Sequence, residues 1–234
     1  LISIITPISY DHEEFLGNSI KKITSEKLGI IKKNNYVIIG KQKPDIETFI
    51  RKKIKKIKHK FFFKKNYGIH NISTKNLEFF FNKKKYLINY PRLLGKHQIE
   101  NTCMAVTSSL ILKDMGYNIK LKLLNKGIIN TIWPGRLEMI NYKNKKILLD
   151  GSHNIDGAIN LNSFLRYKKI KPWILFGMLN TKKITKFLSI IKNQIEGIVA
   201  LKIPEEKNAF TANEILKKCK LLKINCIKKS NISK

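Results

Sequence analysis

Four short segments of the chain carry side chains whose chemistry exceeds what a folded core requires. Asp11-His12 stands just after the apolar run Leu1–Thr6 and Pro7. If that run is a strand, the pair falls at its carboxyl end, where open parallel sheets place ligands. A histidine there serves equally well as a structural or solvated group, and a hard ion such as magnesium prefers oxygen donors. Glu26-Lys27 is a charged pair inside an apolar stretch, and by itself reads as an ion pair on a helix. In Trp133-Pro134-Gly135-Arg136-Leu137-Glu138, an arginine follows a Pro-Gly turn. A guanidinium so placed can clamp a phosphate through two parallel hydrogen bonds, or simply cap the turn. In Asp150-Gly151-Ser152-His153-Asn154, the aspartate can hold a ribose hydroxyl and the histidine can face an anionic group. Gly151 allows close backbone approach, although a strand-to-helix turn with no ligand uses the same residues.

The hydropathy pattern indicates the elements that must position these groups. Leu1–Thr6 and Tyr36–Ile39 read as buried strands, and Ile20–Ile31 has helical spacing after Gly17-Asn18-Ser19. A helix through Ile46, Phe49, Ile50 and Ile54 follows, and the stretch from Phe61 to Tyr90 reads as a small antiparallel patch. His97–Met115 is the clearest helix, stopped by Gly116, and a shorter one covers Ile119–Lys126. Beyond Trp133, strands at Leu137–Tyr142, Lys146–Asp150, Trp173–Gly177 and Ile195–Leu201 alternate with helices at Ile155–Tyr167, Thr181–Ile191 and Thr211–Lys218. That alternation implies a mostly parallel α/β sheet. The expected division is residues 1–132 and 133–234.

Composition narrows the function classes. With 43% hydrophobic and 27% charged residues, the chain of 234 residues has enough apolar material for a core, which argues against wholesale disorder. No apolar run approaches the ~18 residues of a membrane-spanning helix, and Leu1–Pro7 lacks the basic leader of a signal peptide. Cys103, Cys219 and Cys226 are too few and too scattered for a disulfide framework or a zinc site, so a reducing, cytoplasmic setting is expected. The net charge of +31 suggests nucleic acid. Yet only Arg51, Arg92, Arg136 and Arg166 among the 47 basic residues are arginines, and the lysines accompany an excess of Ile and Asn, as compositional drift would produce. The basic aromatic stretch Lys52–Lys65, containing Phe61, Phe62 and Phe63, is either a stacking platform for bases or a buried strand flanked by solvated lysines.

Taken in order, the segments resemble the dihydrofolate synthase/folylpolyglutamate synthase family of bacteria, within the Mur-ligase superfamily. The resemblance is carried by Ser9-Tyr10-Asp11-His12, Ile23–Lys32 with Glu26-Lys27-Leu28-Gly29-Ile30, Leu94-Gly95-Lys96-His97-Gln98-Ile99-Glu100-Asn101, Trp133–Glu138, and Asp150–Asn154 with Asp156-Gly157-Ala158. It implies an α/β architecture: an incomplete Mur-ligase central ATPase domain followed by a Rossmann-like C-terminal α/β domain. The activity implied is ATP- and magnesium-dependent joining of L-glutamate to dihydropteroate or reduced folates through an acyl phosphate. By the same resemblance His12 is a magnesium ligand, and Lys27, fifteen positions on, is a carbamylated lysine that offers the ion an oxygen. Asn101 is a nucleotide-binding residue, Arg136 reaches ATP phosphates, Asp150 meets the nucleotide, and His153 stands near the phosphate or the incoming glutamate. Partners are then the pterin and glutamate substrates, with no membrane, no specific nucleic acid and a monomeric state.

The departures are equally specific. A Gly-rich loop ending in Gly-Lys-Ser/Thr occurs nowhere in these residues, and Leu28 and Ile155 replace the family's usual Ala and Pro. The chain begins with Leu rather than Met, so a fragment, inactive alone and with an open sheet edge, is expected. A peptidoglycan amino-acid ligase of the Mur type, a basic nucleic-acid-binding protein and an inactive remnant are the competing readings.

Overall fold

In the run Tyr36-Val37-Ile38-Ile39, three consecutive side chains are fully buried, so both faces of this strand must be covered. That is the environment of a parallel sheet, and strand pairing bears it out. The computed structural model describes residues 1–11, 16–55, 57 and 59–230, and the chain forms two compact units, Leu1–Pro134 and Gly135–Lys234.

In the first unit, β1 (Ile2–Ile5), β2 (Tyr36–Ile39) and β3 (Lys60–Phe62) form a parallel sheet in that order, with β1 at one edge. Helices α1 (Ile20–Leu28) and α2 (Pro44–Ile54) connect the strands. On one face, Ile5, Val37 and Ile39 pack with Ile23 of α1 and with Ile46, Ile50 and Ile54 of α2. The next side chain along β2, Ile38, points into a second core. That core is built from an antiparallel sheet of β4 (Tyr67–Ile72), β5 (Asn76–Phe81) and β6 (Lys84–Asn89), against α3 (Lys96–Asp114) and α4 (Leu121–Asn130). Tyr67 is wholly buried, and its hydroxyl donates to the Ile39 carbonyl at 2.9 Å, tying the two sheets together.

The expected antiparallel patch is therefore too long at its start. Lys60–Phe62 joins the first sheet in parallel register with Tyr36–Ile38, because α2 supplies the crossover that returns the chain in the same direction. The aromatic run turns inward: Phe63 is buried under the Arg51 guanidinium, and Phe62 meets Tyr36 and Phe81.

In the second unit, β7 (Glu138–Tyr142) and β8 (Lys145–Leu149) form an antiparallel hairpin rather than members of a parallel sheet. Its two-residue turn, Lys143-Asn144, has φ of 46° and 61°, the twist that such hairpins need. After α5 (Ile155–Lys168), the parallel expectation holds for β9 (Trp173–Phe176), β10 (Gly197–Ala200) and β11 (Cys226–Lys228), with β10 central. Two further helices, α6 (Ile184–Ile191) and α7 (Ala212–Leu221), complete this unit. Ile198 and Ala200 of β10, Leu188 and Ile191 of α6, Ile215 and Cys219 of α7, and Ala158 and Leu165 of α5 are fully buried in it. The three-residue β11 leaves no hydropathy pattern and is missed by sequence reading.

Candidate active site

In the first unit, α1 begins where the sequence indicates. Ser19 is its N-cap, its hydroxyl accepting from the Lys22 N–H at 3.3 Å, and Gly29 closes the last turn on the Glu26 carbonyl at 3.0 Å. A side chain at Gly29 would press on that carbonyl, so glycine fits the tight exit. Lys27 lies partly exposed in the last turn, where an ammonium complements the partial negative charge of the helix end. A carbamate there reverses that complement and needs a cation beside it. The hollow on this unit runs along Lys21, Ser25 and Glu26, and Lys27 does not line it.

His12 lies outside the described residues, and among those described no group of three His, Cys, Asp or Glu side chains is placed to hold a metal. A lysine is a ligand only once carbamylated, so the described donor set does not by itself complete a magnesium shell. No step is derived through that ion.

Gly95, at φ 101°, lets the chain enter α3. Gln98, three residues on, is 6% exposed, an unusual burial for a carboxamide. Its Nε2 lies 3.1 Å from His97 Nε2, and its Oε1 accepts from Asn101 Nδ2 at 3.0 Å. Asn101 is thus an exposed amide held from below by a buried one. Beside it, Glu100 pairs with Lys64 at 2.8 Å.

In the second unit the structure brings Arg136, Asp150 and His153 into one pair of loops. The Gly151 N–H donates to the Gly135 carbonyl at 2.8 Å, and the Gly135 N–H donates to Glu138 Oε2 at 2.8 Å. Asp150 accepts from the Leu137 N–H at 3.0 Å and the Ser152 N–H at 3.1 Å, one on each oxygen. Leu137 is buried with φ at 49°, a conformation that costs a bulky residue about 1–2 kcal/mol. The reversal leaves Arg136 exposed, with a guanidinium nitrogen beside Gly151. His153 Nδ1 lies 2.9 Å from the Gly151 carbonyl. A carbonyl only accepts, so Nδ1 carries a hydrogen there. Asn154 then caps α5 through the Gly157 N–H at 2.8 Å.

Sequence reading singles out Arg136, Asp150 and His153 as candidates but not the bonds among their loops, nor the burial of Gln98. Glu138 carried a legible signal, an acid three residues after a turn glycine. Burial pushes the Cys103 thiol up to about 11 and the Cys219 thiol up to about 12, so both stay protonated near neutral pH and neither serves as a nucleophile.

The arrangement offers an exposed amide on a helix in one unit, and a guanidinium with an imidazole on stitched loops in the other. Comparisons with known proteins agree on one family. Residues 1–109 match the Mur ligase middle domain. A probable dihydrofolate synthetase of Schizosaccharomyces pombe is 31% identical over 217 residues, covering 86% of this chain and 49% of that protein. The dihydrofolate synthase/folylpolyglutamate synthase of Bacillus subtilis is 27% identical over 195 residues, covering 78% and 44%. A crystal structure of Mycobacterium tuberculosis folylpolyglutamate synthase, complexed with ADP and AMPPCP, superposes with a TM-score of 0.85 at 22% identity, over 99% of this chain and 55% of that one. The chain spans about half the length of the curated relatives it matches. Among the described residues no helix is long and apolar enough to cross a membrane. The chain has the mixed α/β fold of these ligases and carries a Mur ligase middle domain, and its curated and structural matches are to dihydrofolate synthases and folylpolyglutamate synthases.

Proposed function

We propose that this chain is part of an ATP-dependent ligase that joins L-glutamate to dihydropteroate, to reduced folates, or to both, by way of an acyl phosphate. Residues 133–234 would be its Mur-ligase-type C-terminal domain and residues 1–132 part of the ATP-binding domain. The observation that carries the reading is the loop pair in which Asp150 binds the Leu137 N–H directly after Arg136. A guanidinium held exposed by such a scaffold is suited to a triphosphate, whose charge has to be met without delay for reorganisation. His153, held through Nδ1 by the Gly151 carbonyl, would stand near the phosphate or the incoming glutamate. Asn101 offers an amide edge to the purine base. The likeness to an enzyme crystallised with ADP and AMPPCP supports the nucleotide. Magnesium would supply charge neutralisation on the phosphates, and His12 and carbamylated Lys27 are the residues assigned to hold it.

The test is made on a protein that contains this chain together with a Gly-x-x-x-x-Gly-Lys-Ser/Thr loop. Glutamate-dependent ADP release is expected with dihydropteroate or reduced folate and not with UDP-muramoyl acceptors. Arg136→Ala is expected to lower that turnover at least about 100-fold with its circular dichroism unchanged. An active, folded Arg136→Ala protein would remove the role assigned to this residue, and turnover of muramoyl acceptors would move the chain to the peptidoglycan branch.

A further inference from the structure

We infer that Cys219 and Cys226 form a reversible modification site, a dithiol in the second unit that a hydroperoxide converts to a disulfide joining α7 to β11. The inference stands apart from the ligase reading, since neither sulfur belongs to the loops that carry Arg136 and His153. Both cysteines are free thiols. Cys219 is wholly buried on α7, while Cys226, on the three-residue edge strand β11, is half-buried.

Alternation along the strand sets the direction of Cys226. It is in register with Ile198, which is wholly buried, whereas the next residue, Ile227, faces outward at 49% exposure. The return from the helix is tight: Lys223 takes a φ of 56°, and the Ile224 N–H donates to the Cys219 carbonyl at 3.0 Å. Lys228 Nζ donates to Asn213 Oδ1 at 3.0 Å, which fastens the far end of β11 to the start of α7. Between these two ties the Cys219 and Cys226 side chains meet in a hydrogen bond.

Burial keeps Cys219 protonated, so the sulfur that a peroxide attacks first is that of Cys226, nearer to solvent. The Cys226 sulfur displaces hydroxide from the O–O bond and becomes a sulfenic acid. The S–S bond then forms as the sulfenic hydroxyl leaves with the Cys219 proton. One peroxide is thereby reduced to two waters, and two thiols are oxidised. Thiols of a reducing compartment reopen the bond, which is the behaviour of a redox-responsive pair and not of a permanent staple.

The test treats the 234-residue chain with equimolar hydrogen peroxide and then counts thiols after denaturation. They are expected to fall from three per chain to one, that of Cys103 in the first unit, with two hydrogens lost from the intact mass. Trypsin should then release Cys219-Lys220 joined to Ile224–Lys228, and dithiothreitol should separate the two peptides. Cysteines this close in sequence also join in an unfolded chain, so the equilibrium of the pair with glutathione is measured in buffer and in urea. The folded chain is expected to favour the disulfide at least about tenfold more than the unfolded one. Cys226→Ser removes the sulfur that reacts first and is expected to leave Cys219 and Cys103 as thiols after the same treatment. Three thiols surviving peroxide, a Cys226 carried on to the sulfinic acid with Cys219 untouched, or an equilibrium no more favourable in buffer than in urea would each overturn the inference.

Discussion

Asp150 illustrates how a residue that looks made for a ligand can first be occupied with its own chain. Both its oxygens accept backbone N–H groups, one of them from Leu137, which is buried and left-handed. The carboxylate holds that conformation in place, so the exposed position of Arg136 depends on it. Asp150→Ala leaves the Leu137 N–H without its acceptor and is expected to destabilise the second unit by about 1–3 kcal/mol. Asp150→Asn, which keeps one carbonyl oxygen, should recover part of the loss. Urea denaturation followed by Trp173 emission in a Trp133→Phe background measures both, and equal stability of Asp150→Ala and the parent would show that the carboxylate does not organise the loop.

At the scale of elements, caps decide where helices begin, and α7 shows the effect most fully. The Glu214 N–H donates to Thr211 Oγ1 at 3.2 Å, while Glu214 Oε2 accepts from the Thr211 N–H at 2.8 Å. Such a reciprocal pair satisfies donors that the first turn leaves open, and Thr211→Ala is expected to cost about 1 kcal/mol. The Thr211 backbone bond, and then the hydroxyl bond, hold the Glu214 carboxyl below the usual carboxylate range. A lowered folded value means that its contribution is complete above the unfolded value and is lost as pH falls through the folded one. The melting temperature of Glu214→Gln should therefore lie below that of the parent near neutral pH and converge with it in acid. A constant gap across that titration would contradict the cap's dependence on charge.

At the scale of the whole molecule, charge and length bear directly on activity. A net charge of +31 spread over mostly lysines gives a solvated surface and strong non-specific attraction to polyanions at low salt. The nucleotide chemistry is more demanding. No Gly-x-x-x-x-Gly-Lys-Ser/Thr occurs in these 234 residues, the loop whose successive backbone N–H groups cradle β- and γ-phosphates. A protein of only these residues is expected to release no phosphate from ATP in response to glutamate and pterin together. A malachite-green assay checks this, and substrate-dependent release above the no-enzyme rate would contradict it.

Local rules were enough for much of the architecture. Ser19 as a cap, the uninterrupted burial of β2, the helix after Gly95 and the α/β alternation after Trp173 each follow from a few neighbouring residues. The sequence by itself also determined which side chains are candidates for chemistry, since Arg136, Asp150 and His153 sit in turns that hydrophobic burial does not explain. Tertiary structure alone decided the partners. Lys60–Phe62 could pair with either sheet until α2 set its direction, and β7 with β8 turned back on the positive φ of Lys143 and Asn144. The Asp150–Leu137 bond spans 13 positions and the Tyr67–Ile39 bond 28, distances at which pairing is selected by burial of the whole core and not by any neighbour.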